Sequence, residues 1–200
     1  MIELTIEQVK IAQQKALKNA EALVKDAEAL FELKSYPRVV FLSQIAGEEI
    51  GKHIMFSSLF VRLLAGEEIN WKKFWTKATS HKRKLELVTY MEDVYLEQPF
   101  PETLKEYFEI ISLQIKDLDR FKQKALYSDF TEGYPHTPND IIDETIAKNA
   151  LAWAKGRIGV FSTIEAELQK YGVFEKMTKE SVQEISKKLG IEKFFQTKET

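Results

Sequence analysis

The sequence predicts an all-α protein, a helical bundle of about five long helices plus a short C-terminal helix. Three observations carry that reading. Apolar residues recur three and four positions apart along five long segments, which is the period of one helix face. Gly and Pro are scarce, at 8 and 5 in 200 residues, while Leu, Ile, Lys, Glu and Ala are abundant and favour helices. No segment of consequence alternates with the two-residue period of a strand.

The first helix should begin at Thr5-Ile6-Glu7-Gln8, which has the form of a capping box, and run through Val9, Ala12, Ala16, Ala20, Leu23, Ala27 and Leu30. Its alanines permit close approach of a second helix. Ser35-Tyr36-Pro37 reads as a short turn, with Pro37 suited to the first turn of a second helix that ends at Gly66. So short a connection makes an antiparallel hairpin. Asn70 can cap a third helix opening with Trp71, Phe74, Trp75 and Ala78; it either continues through Ser80 or restarts there, and Pro99 and Pro101 end it. A fourth shows Leu104, Phe108, Ile111, Ile115 and Leu118 on one face and reaches Lys124. Residues 126–138 form the one long irregular segment, and its Tyr127, Phe130 and Tyr134 predict a packed loop. A fifth helix starts near Pro138, and a short terminal helix runs from Thr178 to Gly190. One main domain is expected over residues 5–172, with residues 173–200 as a short helix and charged tail.

The totals exclude several function classes. Formal charge is −2, so no global basic field points to nucleic acid or an anionic membrane, and any RNA contact needs a local basic cluster. Cysteine is absent, which removes disulfides, thiolate metal ligands and thiol catalysis. Met1-Ile2-Glu3-Leu4 opens directly into an amphipathic helix, so no signal peptide is expected. The apolar runs fall far short of the ~18 residues of a membrane span. A cytoplasmic protein without membrane contact is expected. Gly-x-Ser-x-Gly, Gly-x-x-x-x-Gly-Lys-Ser/Thr and Gly-x-Gly-x-x-Gly are all missing, which argues against hydrolases, NTPases and dinucleotide enzymes built on those motifs.

The most informative stretch is Ile45 to His53, inside the apolar second helix. On a helical wheel Val39, Leu42, Ala46, Phe56, Phe60 and Leu64 share a face, and Glu49 and His53 project into its middle. Glu48 and Lys52 fall toward the edge, four apart in the favourable acid-before-base order. A carboxylate within an apolar stripe needs a partner. His81 and Lys84, three apart on the next helix, could meet Glu49 across the bundle. One reading is a polar cleft with His81 as acid or base and lysines on a phosphate. The other is a buried ion-pair network that holds helix register.

Metal is not expected. Di-iron bundles use Glu-x-x-His, and no such spacing occurs here; Glu49 to His53 and Glu132 to His136 are both four apart. No cofactor is implied either. A second polar group, Asp117, Arg120, Lys124 and Tyr127, lies away from the core stripe beside Ile110 and Leu113. It could hold an RNA backbone, or be a solvated face or a dimer seam. Lys148, Lys155 and Arg157 read as surface charge.

Several stretches together resemble the AbiV group of abortive infection proteins over roughly residues 5–170. These are Asn19-Ala20-x-x-Leu23-x-x-Asp26-Ala27, Ala46-x-Glu48-Glu49-x-Gly51-Lys52, Trp71-x-x-Phe74-Trp75 with His81-x-x-Lys84, and Lys124-Ala125-Leu126-Tyr127-Ser128-Asp129-Phe130. The resemblance implies antiphage defence and the HEPN helical fold, whose members are often homodimers and often metal-independent RNases with an Arg followed four to six residues later by His. None of Arg38, Arg62, Arg83, Arg120 or Arg157 has a His at that spacing.

Two modes of action follow. In a ribonuclease, His81 would be acid or base, Lys84, Lys52 and Arg120 would bind phosphate, Glu49 would orient a cation, and Glu48, His53, Lys124 and Tyr127 would support binding. In a binding effector, an aromatic or basic surface near Tyr127 to Tyr134 would act without catalysis; an unrelated third reading is a structural helical adaptor, for which Glu49 and Lys84 matter only to stability. A homodimer, a phage-encoded protein as trigger, and RNA or the translation machinery as target are the expected partners.

Overall fold

The computed structural model describes residues 2–95, 104–131, 134–182 and 184. Among these the chain forms α1 (Ile6–Glu32), α2 (Tyr36–Ala65), α3 (Trp71–Thr79), α4 (His81–Tyr95), α5 (Leu104–Leu126), a small antiparallel hairpin of β1 (Asp129–Thr131) and β2 (Tyr134–His136), α6 (Pro138–Ile141), α7 (Glu144–Lys170) and α8 (Val173–Lys176). The all-α bundle predicted from periodicity is the fold observed.

Most boundaries sit where their chemistry requires. The Thr5 hydroxyl accepts the Gln8 N–H at 3.2 Å and the Gln8 side chain accepts the Thr5 N–H at 2.9 Å, closing the capping box of α1. Gly66 takes a left-handed φ of 79° to end α2, a conformation that costs glycine little. The Asn70 side chain accepts the Lys73 N–H at 2.9 Å to start α3.

Ser80 decides the open question of the third helix. Its backbone is extended, so the chain stops at Thr79 and restarts as α4 at His81. The predicted fifth helix is likewise divided: Ile142 is extended, and the Asp143 carboxylate accepts the Ile146 N–H at 2.8 Å to begin α7. Within the irregular segment, Asp129 pairs with His136 and Thr131 with Tyr134, a ladder too short to leave a period in the sequence. The packed loop expected there is not what forms. Tyr127, Phe130 and Tyr134 are 59%, 71% and 72% exposed, because three-residue strands have too little surface to cover their own rings. Pro99, Pro101 and the end of the predicted terminal helix lie outside the described residues.

α2 is the axis of the molecule. It pairs with α1 as the predicted hairpin and also packs against α4, α5, α6 and α7. Leu17, Ala20, Ile50, Ile54, Val88 and Phe161 make one core cluster, and Ala27, Val39, Val40, Ala125, Ile142 and Ala147 another. Surrounded on several sides, α2 buries residues all round its middle turns, from Ser43 and Gln44 through Ala46 to Gly51, then His53 and Ile54. Two glycines let its neighbours in. A Cβ on Gly51 would collide with the Lys84 backbone, and one on Gly47 with the Trp153 ring. Gly51 thereby brings the α4 backbone against α2 one turn from Glu48.

Candidate functional site

At the centre of this packing lies the Glu48 carboxylate, its side chain 3% exposed. Lys84 of α4 donates to Oε2 at 2.8 Å, and Lys122 of α5 donates to Oε1 at 3.0 Å. Nδ1 of His81, the first residue of α4, lies 2.5 Å from Oε2. The carboxylate has no proton to give when ionised, so Nδ1 carries the hydrogen and Nε2 is the free ring nitrogen. Both lysines are nearly enclosed, at 5% and 7%, whereas the His81 side chain is 61% exposed. The cluster therefore has a buried ionic floor and one member facing solvent.

Burial alone would push the Glu48 carboxyl upward. Hydrogen bonds from Lys84, His81 and Lys122 outweigh it and hold the group below its usual range. Lys122 shows the mirror effect: burial would lower its ammonium, and bonds to Asp119 and Glu48 raise it. The charges are those of a stable ion cluster, with a carboxylate answered by two ammonium groups and an imidazole.

The wheel therefore misassigned the central acid. Glu48, not Glu49, meets His81 and Lys84. Glu49 instead pairs with Lys52 one turn along α2, and the expected Glu48–Lys52 pair does not form. A single-face wheel fails on a helix that is enclosed on several sides.

His53 is buried elsewhere, between α1 and α7. Its Nδ1 lies 3.2 Å from the backbone oxygen of Gln13, which can only accept, so this ring also carries its hydrogen on Nδ1. Burial lowers its tendency to protonate, partly countered by the Gln13 bond and by Glu165. Glu165 is itself buried and takes hydrogen bonds from Gln13 and Gln169. His53 is thus outside the Glu48 cluster. Arg120 and Tyr127 are exposed and Lys124 is half-buried near the end of α5.

Arg157 is not the surface charge expected. It is 8% exposed, pairs with Glu92 and stacks 4.0 Å over the Trp153 ring. Burial brings its pKa down to about 10 despite Glu92 and Asp93. Lys122 was overlooked altogether, although a signal existed. It follows Ile115 and Leu118 at core spacing, so the lysine sits on the apolar face of its helix.

The family model for AbiV, of HEPN type, matches residues 8–158, a span that contains Glu48, His81, Lys84 and Lys122. The chain belongs to the AbiV family. Neither a curated protein nor a solved structure matches it. AbiV membership points to abortive infection, and the helical bundle agrees with a HEPN domain. Among the described residues, no helix of this AbiV chain is long and apolar enough to cross a membrane.

Proposed function

We propose that this AbiV-family chain restrains phage multiplication by cleaving RNA without metal, with His81 as the proton-transferring group. The observation that carries the reading is the exposed His81 ring with its Nδ1 held by the buried Glu48 carboxylate. That arrangement fixes the tautomer, leaves Nε2 to solvent and places a counter-charge where an imidazolium forms. Nε2 would take the proton of a ribose 2′-hydroxyl as its oxygen attacks the adjacent phosphorus. The phosphorus–5′-oxygen bond then breaks, a cyclic phosphate remains, and the proton returns to the leaving 5′-oxygen. Lys84 and Lys122 take the part of holding Glu48, since neither reaches solvent well enough to meet a phosphate. The arrangement replaces the Arg–His spacing of typical HEPN nucleases, which this sequence lacks. A phage product as trigger and a homodimer as the acting form belong to the same proposal.

A second reading has its own support. Tyr127, Phe130 and Tyr134 present exposed rings at one end of the bundle, which suits a binding effector that acts without catalysis. One experiment separates the two. Purified wild type and His81→Ala are incubated with total cellular RNA in EDTA, with and without lysate from phage-infected cells. Cleavage by wild type alone supports the nuclease. Intact RNA in every lane, with His81→Ala still protecting cells, removes His81 from the mechanism and leaves the binding effector.

A further inference from the structure

The break at Ser80 creates a second feature beside His81. An open groove of about 480 Å³ runs along α3 to the start of α4, lined by Lys72, Lys73, Thr76, Lys77, Ser80 and Arg83. Ser80 and Arg83 lie one residue before and two residues after His81 in the chain. Among the described residues no carboxylate lines it, although Arg83 reaches out of it to Glu86 at 2.7 Å. Among the described residues, Lys72, Lys73 and Lys77 have no acid within ion-pair distance, and of the two acids that precede α3, Glu67 and Glu68, Glu67 is engaged by Arg62 at 2.6 Å. Lys77 feels both its burial and this crowding. Burial, and then the neighbouring charges of Lys73, Arg83 and Arg62, make its ammonium harder to keep protonated. A polyanion laid in the groove would relieve that repulsion.

The lining also says which polyanion. Among the described residues its lining has no aromatic and no Leu, Ile, Val or Met side chain, the types that anchor many protein partners. It does hold hydroxyls. Ser80 Oγ accepts the Arg83 N–H at 3.3 Å, which leaves its own proton to donate outward. Lys73 and Lys77 are four apart on α3, so their charges repeat along the groove at one-turn spacing. Repeated ammonium groups and the Ser80 hydroxyl match the oxygens of a sugar–phosphate chain, while the Thr76 hydroxyl donates to the Lys72 carbonyl at 2.9 Å.

We infer that this groove is a track for the phosphodiester backbone of RNA. The inference rests on the reading that the chain acts on RNA. The sequence alone hid it because the net charge is −2 and the lysines of α3 are separated from Arg83 by the helix break.

The test measures binding apart from chemistry. Fluorescence anisotropy follows a labelled single-stranded RNA of about 16 nucleotides, within the usual site size for such grooves. The proteins are wild type, the groove variant Lys73→Glu/Lys77→Glu, and the control Lys18→Glu/Lys25→Glu on the exposed outer face of α1. Circular dichroism confirms that each is folded. Wild type should bind the strand. The groove variant should bind about tenfold or more weakly in low salt, with a log–log salt slope shallower by roughly 1.4, as loss of two contacts to a single strand requires. The control should change little.

No binding by wild type, or equal losses in groove variant and control, overturns the inference. Competition by polyglutamate as effective as that by unlabelled RNA also overturns it and points to an acidic protein. Groove-dependent binding without RNA cleavage would leave the track standing and bring down only the nuclease reading.

Discussion

Lys122 and Glu48 lie 74 residues apart in the chain and meet at 3.0 Å in the interior, where both side chains are nearly closed to water. With Lys84 they lock α2, α4 and α5 in one register. An ion cluster so enclosed stabilises only while all its members are present, since removing one leaves the others buried without compensation.

Glu48→Ala should therefore destabilise the fold by about 3–5 kcal/mol. Glu49→Ala should cost under about 1 kcal/mol, because its partner Lys52 is 35% exposed and can turn to water. Urea unfolding of both variants checks the contrast; equal losses would contradict the assignment of Glu48 as the central acid. The Glu48 carboxyl is lowered in the folded state, so its contribution is present above the ordinary value of 4.5 and is lost as pH falls through the folded value.

Two glycines should respond in opposite senses. Gly51→Ala forces α4 away from α2, since the added methyl meets the Lys84 backbone, which cannot swing aside as a side chain would. A loss of about 2 kcal/mol or more is expected. Gly156 on α7 has open space around it, so Gly156→Ala should gain roughly 0.5–1 kcal/mol from helix propensity. Thermal melts of the two variants suffice.

Arg157→Ala should cost about 2–4 kcal/mol, through lost contact with Trp153 and an uncompensated Glu92. Arg157→Lys should recover less than half of that, because an ammonium lacks the planar face that stacks on the indole. Full recovery with Lys in a melting experiment would reduce the site to simple charge.

His53 gives a pH dependence with a definite sign. Its folded pKa is below the ordinary 6.5, so the unfolded chain binds a proton first as pH falls. Stability should drop as pH goes below 6.5 and level off beneath the folded value. His53→Asn should flatten that limb of the curve in unfolding measured from about pH 7 to pH 5, a range in which the lowered Glu48 carboxyl stays ionised.

The residues that resisted reading from the sequence share a physical cause. Helix period, the Thr5 capping box, Pro37, Gly66 and Asn70 act within a turn or two of the chain, so α1, the hairpin and the start of α3 were legible directly. The pairing of His81 and Lys84 with an acid of α2 was legible too, since both lie on one helix face. The identity of that acid was not. A wheel assumes one buried side, and α2 is buried on several, so the choice between adjacent Glu48 and Glu49 waits on which helices surround it. Arg157 resists reading for the same reason in reverse, since a cation's burial depends on a carboxylate supplied from a distant segment, whereas Lys122 carries a local signal after Ile115 and Leu118.

Local chemistry thus set where helices start, stop and turn, because caps, glycine dihedrals and apolar period are decided by near neighbours. Which charges are enclosed, which imidazole faces water and which lysines stand together without acids among the described residues came only with the tertiary packing. Those are properties of groups brought together from α2, α3, α4 and α5, and desolvation and ion pairing have no value until the partners have met.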